Sequence, residues 1–351
     1  MFLMMPMVAR RLGTMDLQLS LFADEAPRLA TAPVAAVKHS ARQSEIANKL
    51  PVELRLGTSS WSFPGWEGIV YDRRVSQQTL SSHGLTAYAQ HPLLRTVGVD
   101  RTFYRPISSD AFRAYADAVP ADFRFLVKAD RSLTSPTDTE GYSVRGPNPR
   151  FLDPQYAANE VIGPMMDGLG SKAGPLLFQF PPIHPNLVGG RGPFIERLHG
   201  FLDALPKDPL YAIELRTAAF LTDSYSKALL ATGAAHCYSV HPAMASLERQ
   251  LDSVQAYQQP ALIMRWMLHS GLRYEVARER YEPFDNIVDG DAETRERIAI
   301  TALDALIAEK NVFVIANNKA EGSAPLSIFR LAERIAEWDA RGSDLPATHA
   351  P

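Results

Sequence analysis

The chain has 351 residues, of which 46% are hydrophobic and 21% are charged, a composition that excludes a fibre and a chain disordered throughout. The formal net charge of -3 gives no global positive field for nucleic-acid binding, although local basic clusters can still bind phosphates. The single cysteine, Cys237, excludes an intramolecular disulfide and a cysteine-based metal cluster, and it indicates a cytoplasmic protein.

Residues 1–50 lack sustained periodicity and are predicted to form a mobile tail. The first apolar run precedes the basic pair Arg10-Arg11, which is the reverse of the order in a secretory signal. No apolar stretch approaches the roughly 20 residues that a spanning helix needs. We therefore expect no signal peptide and no membrane span.

A short apolar cluster lies inside this tail, with the sequence Gln-Leu-Ser-Leu-Phe at 18–22. Such a cluster in a polar tail is typical of a recognition peptide. It resembles the linear motif by which bacterial DNA replication and repair proteins bind the sliding clamp. By that resemblance Gln18 forms a hydrogen bond at the pocket mouth, and Leu19, Leu21 and Phe22 fill apolar pockets. The alternative is an amphipathic turn that folds back on the domain.

From residue 54 onward, strand-like and helix-like segments alternate, which indicates an α/β fold with parallel strands. Strands are predicted at 54–60, 95–103, 123–129, 175–180, 210–215, 235–240, 261–266 and 311–316. Helices are predicted at 109–118, 194–204, 224–232 and 292–309. Eight such units predict a (β/α)8 TIM barrel over residues 51–340, followed by a C-terminal tail at 341–351.

An open, doubly wound sheet is the alternative architecture. No Gly-x-Gly-x-x-Gly motif follows the first strand, so this fold has no sequence support and no nucleotide cofactor is expected. Two connections, 130–174 and 268–291, are longer than a plain crossover. Loops of this length usually bind a ligand or cover a site, and both are predicted to lie at the catalytic face.

The polar residues that close the predicted strands form the candidate site, because TIM-barrel active sites lie at the carboxyl ends of the strands. In chain order these residues are Ser59, Ser60, Trp61, Asp100, Tyr104, Lys128, Gln179, Glu214, Arg216, His241, Arg265, His269, Asn317, Asn318 and Lys319.

Alternation along the fifth strand places Glu214 and Arg216 on the same face. Such a pair is either a structural ion pair or a general acid/base, Glu214, whose pKa is set by an adjacent cation. Asp100, which follows the second strand, is assigned with them to the catalytic group.

Basic residues at four strand ends predict a locally positive barrel mouth, suited to a phosphate or carboxylate ligand. They are Lys128, Arg216, Arg265 and Lys319. Four aromatic residues, Trp61, Trp66, Phe103 and Tyr104, would add flat faces for a sugar or a base. The alternative is that the charges are solvated at the rim and that the aromatic rings pack in the core.

A divalent metal is the less supported prediction. Asp100, Glu214, His241 and His269 include suitable ligand types, yet no His-x-His or His-Glu-x-x-His spacing joins them. The alternative for each histidine is a structural hydrogen bond.

Several blocks occur in a specific order. They are Gly-Thr-Ser-Ser-Trp-Ser-Phe at 57–63 with Trp66 and Tyr71, Thr-Phe-Tyr-Arg at 102–105, Phe-Arg-Phe at 123–125 with Val127-Lys128, Gly-Pro-Leu-Leu-Phe-Gln-Phe-Pro-Pro at 174–182, Glu214-Leu215-Arg216, and Asn317-Asn318 with Gly322 and Ala324. Together they resemble the YecE-like family of domains of unknown function, domain of unknown function 72. The resemblance covers residues 54–335 and implies a TIM barrel without an established activity. The implied fold is similar to that of barrels that handle sugars and abasic DNA, but fold analogy does not transfer chemistry.

The sequence departs from the family pattern at three places. On the second strand the family usually has a Glu two positions before an Asn. This chain has Gly98 in place of that Glu and Asp100 in place of that Asn. The Arg-x-His pattern of the seventh strand becomes Arg265-Trp266-Met267, with His269 displaced by two positions, and a Thr-His pair becomes Thr134-Ser135. These departures weaken the expectation of a shared metal site and of a family-typical activity.

Three functions from different classes are compatible with these observations. The first is a hydrolase or lyase that acts on a phosphorylated sugar or nucleic-acid fragment, with Glu214 as acid/base. In that reading Arg216, Arg265 and Lys128 hold the anion, while Gln179, Asn317 and Asn318 orient hydroxyls. The second is a non-catalytic DNA-repair accessory tethered to the sliding clamp, and the third is a small-ligand binding barrel without chemistry.

Overall fold

The structure is a computed structural model that describes residues 33–140 and 143–339. Their strands are β1 (Leu54–Thr58), β2 (Thr96–Val99), β3 (Arg124–Lys128), β4 (Thr137–Glu140), β5 (Ser143–Pro147), β6 (Ala173–Phe180), β7 (Tyr211–Leu215), β8 (Ala235–Val240), β9 (Ala261–Trp266) and β10 (Asn311–Ala316). Strands β1, β2, β3, β6, β7, β8, β9 and β10 follow one another around a closed parallel barrel. The predicted TIM-barrel fold is confirmed.

Helices cover the outside of the barrel. They are α1 (Ala41–Lys49), α2 (Gln77–His83), α3 (Leu85–Ala89), α4 (Ser109–Asp117), α5 (Pro154–Tyr156), α6 (Gly163–Leu169), α7 (Arg191–Ala204), α8 (Asp223–Thr232), α9 (Leu247–Ser253), α10 (Tyr274–Tyr281), α11 (Ala292–Ile307) and α12 (Ala324–Asp339). A π-helical segment, Ala157–Ile162, joins α5 to α6. In the part of the chain so described, no helix is both long and apolar enough to cross a membrane.

Alternate residues of the strands belong to two separate apolar clusters. One fills the barrel and consists of Leu126, Leu177, Ala212, Ala235, Cys237, Ile263, Phe313 and Ile315. The larger one lies between the outer face of the barrel and the helices. Because side chains fill the barrel, a ligand has access to its ends and not to a central pore.

The second strand is shorter than predicted. β2 ends at Val99, and the predicted strand residues Arg101–Phe103 form a 3-10 helix. The hydroxyl of Thr102 donates hydrogen bonds to Val99 O at 2.9 Å and to Lys128 O at 2.6 Å. These bonds turn the chain across the end of the barrel, so Asp100 lies at the junction of strand and turn.

The predicted tail ends earlier than residue 50. Helix α1 is capped by Ser40 and buries Ile46 and Ala47, while Ala36 forms a β-bridge with Tyr71. Segment 34–50 is therefore part of the folded domain, because its apolar residues recur on one face of α1. Residues 18–22 and the predicted C-terminal tail at 341–351 lie outside the described residues.

Both long connections contain secondary structure. Connection 130–174 begins with a 3-10 helix, Arg131–Leu133, and continues into the antiparallel pair β4 and β5 and then into α5 and α6. Connection 268–291 contains α10, and Tyr281 Oη donates to Asp289 Oδ2 at 2.7 Å. The second connection brings Tyr274 and Phe284 to the barrel mouth, as described below.

Candidate functional site

An ion pair at the mouth joins strands β7 and β9. Arg265 Nη1 donates to Glu214 Oε2 at 2.5 Å and to Gln179 Oε1 at 3.0 Å. Glu214 is 0% exposed and Arg265 is 3% exposed. Gln179 lies directly opposite Glu214 in the β6–β7 register, so the fold brings together three predicted site residues from three strands.

A second arginine binds the other oxygen of the same carboxylate. Arg216 Nε donates to Glu214 Oε1 at 3.3 Å, and the Arg216 side chain is 25% exposed. Burial raises the pKa of Glu214, but the charges of Arg265 and Arg216 outweigh it and leave this pKa below its ordinary value. Glu214 is thus ionised, and Arg216 extends from it toward solvent.

Lys128 ends strand β3 and is 8% exposed. Its Nζ lies 3.7 Å from the centroid of the Phe103 ring, a cation–π distance. Burial lowers the pKa of Lys128 to about 8. The charge of Asp100 opposes this lowering, and the charge of Arg265 adds to it. Among the described residues, Lys128 forms no salt bridge.

Lys319 follows strand β10 and is likewise buried, at 5% exposure. Its Nζ lies 4.2 Å from the Tyr274 ring centroid, 5.7 Å from that of Phe284 and 3.5 Å from Asn317 Oδ1. Burial, and then the charge of Arg278, lower the pKa of Lys319 to about 8. The mouth therefore contains two shielded ammonium groups on well-separated strands.

The hydroxyl and amide groups predicted at the first and last strands are partly engaged with one another. Asn317 Nδ2 donates to the buried Ser59 Oγ at 2.8 Å, and Asn317 Oδ1 accepts from Lys319 N at 3.0 Å. Ser60 Oγ lies 3.1 Å from Ser62 Oγ. Ser60 and Asn317 are partly exposed and retain access to a ligand at the rim.

Trp61 and Asn318 differ from their predicted roles as ligand groups. Trp61 is 6% exposed, and its Nε1 donates to Leu80 O at 3.0 Å, so it packs in the core. Asn318 is 1% exposed, and its Oδ1 accepts from Trp66 Nε1 at 3.2 Å and from Ala324 N at 2.8 Å. Asn318 links the loop after β1 to the start of α12, because its carbonyl accepts from both.

The remaining predicted residues lie around the rim. Asp100 is partly exposed and interacts electrostatically with Lys128 and Lys319. Tyr104 packs edge-on against Phe103, with ring centroids 5.5 Å apart. His241 Nδ1 accepts from Ala243 N at 3.1 Å, and burial followed by Arg216 lowers its pKa.

His269 is turned toward its own loop. Its Nδ1 lies 2.8 Å from Ser270 O, and its backbone N donates to Lys319 O at 2.9 Å. This backbone bond joins the loop after β9 to the loop after β10. His269 therefore helps to place Lys319, in addition to any contact that its ring makes with a ligand.

The sequence that forms the barrel and its mouth matches a known protein family. Residues 55–350 match the family described as "Protein of unknown function DUF72". The chain belongs to this family. The match confirms the predicted membership of domain of unknown function 72, whereas the YecE-like character of the domain stays a prediction.

Solved structures of two DUF72 family proteins have the same fold. One, from Enterococcus faecalis V583, is 18% identical with a TM-score of 0.56, over 80% of this chain and 95% of that chain. Another, from Thermotoga maritima MSB8, is 18% identical with a TM-score of 0.51, over 80% of this chain and 98% of that chain. No curated protein matches the sequence. At this identity the similarity establishes the fold alone.

In this DUF72 member, the predicted metal ligands do not form a cluster. Within residues 33–140 and 143–339, no group of three or more His, Cys, Asp or Glu side chains is arranged to hold a metal ion. Both oxygens of Glu214 accept hydrogen bonds from arginines. The donor set therefore does not fit a metal at Glu214.

Two aromatic residues of the site escape prediction from the sequence. Tyr274 and Phe284 surround Lys319, although neither belongs to a strand end or to a motif. The only signal was the unusual length of connection 268–291. Phe103, by contrast, was predicted beside Tyr104, and the structure places its ring against Lys128.

Proposed function

We propose that the barrel mouth binds an anionic ligand, a phosphorylated sugar or a nucleic-acid fragment, and that the protein is a hydrolase or lyase acting on it. The observation that carries this proposal is the burial of Lys128 and Lys319, neither of which forms a salt bridge within the described residues. Burying an unpaired ammonium group costs free energy. A bound anion would offset this cost and explain why both lysines are present.

Arg216 is the third cation available to the ligand. Its Nε is held by Glu214, which leaves the outer edge of the guanidinium free to form bidentate contacts with a phosphate or carboxylate. Arg265 lies deeper, and its Nη1 is shared between Glu214 and Gln179. We infer that Arg216 contacts the anion and that Arg265 contributes positive charge from below.

The sequence predicts an acid/base role for Glu214, and the charged surroundings of this carboxylate favour another role. A proton-transfer group needs a pKa near the working pH, whereas two arginines hold the pKa of Glu214 below its ordinary value. We infer that Glu214 is a positioning residue that orients Arg216 and Arg265. Asp100 is the carboxylate that interacts electrostatically with both Lys128 and Lys319. We assign any acid/base step to Asp100.

Thermal unfolding in the presence of ligands tests this proposal. Ribose 5-phosphate and a short single-stranded oligonucleotide should each be titrated, with ribose as the uncharged control. We expect at least one phosphorylated ligand to raise Tm and ribose to leave it unchanged. Arg216→Gln should raise the Kd of the phosphorylated ligand about tenfold, a loss of about 1.4 kcal/mol of binding free energy. Arg334→Gln is a matched control, because Arg334 pairs with Glu296 on the outer helices. No stabilisation by either ligand would contradict the proposal.

We also propose that residues 18–22 bind the bacterial sliding clamp. The supporting observation is the pentapeptide Gln-Leu-Ser-Leu-Phe in a polar, aperiodic segment. Calorimetric titration of the full chain with the clamp should show binding, which the double substitution Leu21→Ala and Phe22→Ala removes. Substitution of Leu29, in the same segment, by alanine is the control. Equal binding by all three proteins would contradict this assignment.

A further inference from the structure

Lys128 differs from an ordinary anion-binding lysine in its surroundings. Its backbone is fixed by the hydrogen bond from Thr102 Oγ1 to Lys128 O at 2.6 Å. Its Nζ is placed over the Phe103 ring at 3.7 Å, and the side chain is 8% exposed. We propose that Lys128 Nζ is a nucleophile that forms a Schiff base with the open-chain aldehyde of a phosphorylated sugar. This inference rests on the proposed function, because the same mouth must bind the phosphate.

The charges around Lys128 are arranged for a nucleophilic amine. Arg265 and Arg216 disfavour its protonated form, while Asp100 and Glu214 favour that form. Burial dominates this balance and lowers the pKa of Lys128 to about 8. At neutral pH roughly a tenth of the amine is then uncharged, compared with less than a thousandth for an ordinary lysine. Desolvation beside other cations is a known way to activate a lysine for attack on a carbonyl.

The position of Arg216 defines how the sugar would lie. Arg216 follows β7 and Lys128 ends β3, with only β6 between these two strands, and the two side chains interact electrostatically. A phosphate held at the outer edge of Arg216 would leave the sugar within the same part of the mouth as Lys128. Lys319 has a different environment: Arg278, Glu282 and Asp100 are its charged neighbours, and its Nζ is 3.5 Å from Asn317 Oδ1. Lys128 is therefore the lysine associated with the arginine pair.

The chemical step balances without an oxidant or reductant. The uncharged amine of Lys128 forms a C–N bond to the aldehyde carbon, and the carbonyl oxygen becomes a hydroxyl. The C–O bond then breaks, and the oxygen leaves as water with the two hydrogens of the amine. Uptake of one proton gives an iminium ion, which withdraws electrons from the neighbouring carbon. Asp100 is the nearby carboxylate that can exchange a proton with it.

Reductive trapping tests the inference on the full chain. The protein is incubated with ribose 5-phosphate and sodium cyanoborohydride, digested and mapped by mass spectrometry. We expect one reduced pentose phosphate on the peptide that contains Lys128, with labelling at least tenfold above that of any other lysine. Lys128→Arg should lose this label, whereas Lys227→Arg, at an exposed position of α8 outside the mouth, should keep it. Labelling spread evenly over surface lysines, or absent from Lys128, would overturn the inference.

A ligand without a carbonyl separates failure of this inference from failure of the proposed function. Ribitol 5-phosphate carries the phosphate but cannot form an imine. If it raises Tm of the wild type and of Lys128→Arg while no label reaches Lys128, the Schiff base is refuted and anion binding stands. If neither phosphorylated compound raises Tm and no label forms, both proposals fail. Peptide mapping of the wild-type protein shows whether Lys128 carries the label, even if a variant does not fold.

Discussion

Arg265 Nη1 and Glu214 Oε2 are 2.5 Å apart, and both side chains are almost fully shielded from solvent. Gln179 accepts a further hydrogen bond from the same Nη1 at 3.0 Å. A buried ion pair of this kind contributes little net stability, but the loss of one partner leaves an uncompensated buried charge. The pair therefore fixes the geometry of the mouth, and both of its members are needed.

Glu214→Gln should lower the free energy of unfolding by about 3 kcal/mol, because Arg265 loses its counter-ion in a buried site. Chemical denaturation at pH 7 measures the change. Glu45→Gln is the matched control, because Glu45 pairs with Arg42 and Lys49 at an exposed position of α1 and its substitution should cost less than about 1 kcal/mol. The pKa of Glu214 is lowered on folding, so its contribution is present above its ordinary pKa of 4.5 and is lost as pH falls through the folded value. The difference from wild type should shrink accordingly in acid.

Lys128→Met should change how stability depends on pH. The unfolded chain keeps the proton of Lys128 up to a pKa of 10.5, whereas the folded protein releases it at about 8. The unfolded state binds more protons in this window, so the wild type gains stability relative to the variant as pH rises. Denaturation at pH 7, 8.5 and 10 should show a relative gain approaching roughly 3 kcal/mol. A pH-independent difference would contradict the burial of an unpaired ammonium group.

Gly57→Ala should strongly destabilise the barrel. A Cβ at this position would overlap the carbonyl oxygen of Thr96, at the place where β1 and β2 pair. The backbone of two strands must separate to admit it, and we expect a loss of about 3 kcal/mol or more. Gly200→Ala is the control, because Gly200 lies within α7, an added Cβ would meet open space, and the substitution should stabilise the protein by about 0.5–1 kcal/mol. Thermal unfolding distinguishes the two, and equal Tm values would contradict the close approach at Gly57.

Asn318→Ala should destabilise the protein by about 2 kcal/mol, because it leaves Trp66 Nε1 and Ala324 N without their acceptor. The tryptophan fluorescence emission of the variant should also change, since Trp66 is fully buried beside this side chain. Asn186→Ala provides a comparison at an exposed turn, with an expected change within about 0.5 kcal/mol. Unaltered stability in both variants would show that the amide of Asn318 is dispensable.

The alternation of apolar strands and helices was sufficient to predict the barrel, and the strand ends identified Gln179, Glu214 and Arg265 as neighbours. What the sequence left open was the partner of each polar group. Glu214 lies two residues from Arg216 and 51 from Arg265, and only the folded register shows that both bind one carboxylate. Trp61 follows a strand end, yet its indole turns inward to Leu80 O because a helix lies there.

The aromatic residues around Lys319 could not be predicted because they come from a long connection. Tyr274 comes from a helix inside connection 268–291, and no periodic pattern predicts which way such a segment folds back. The position of α1 was similarly hidden, since a single nine-residue helix in a polar segment gives little periodic signal. Loops and short helices depend on tertiary contacts that a local pattern does not contain.

The contacts between the loops after β1 and β10 also determine when the mouth is formed. Trp66 and Asn318 are 252 residues apart in sequence, and Ser59 and Asn317 are 258 apart, so each bond closes nearly the whole domain into one loop. Contacts of such long range require most of the chain to be ordered before they form. The β1–β10 pairing that closes the barrel spans the same distance in sequence, from Leu54 to Val312. The mouth and the closed barrel therefore depend on the same two ends of the domain, and a chain that lacks either end cannot form this mouth.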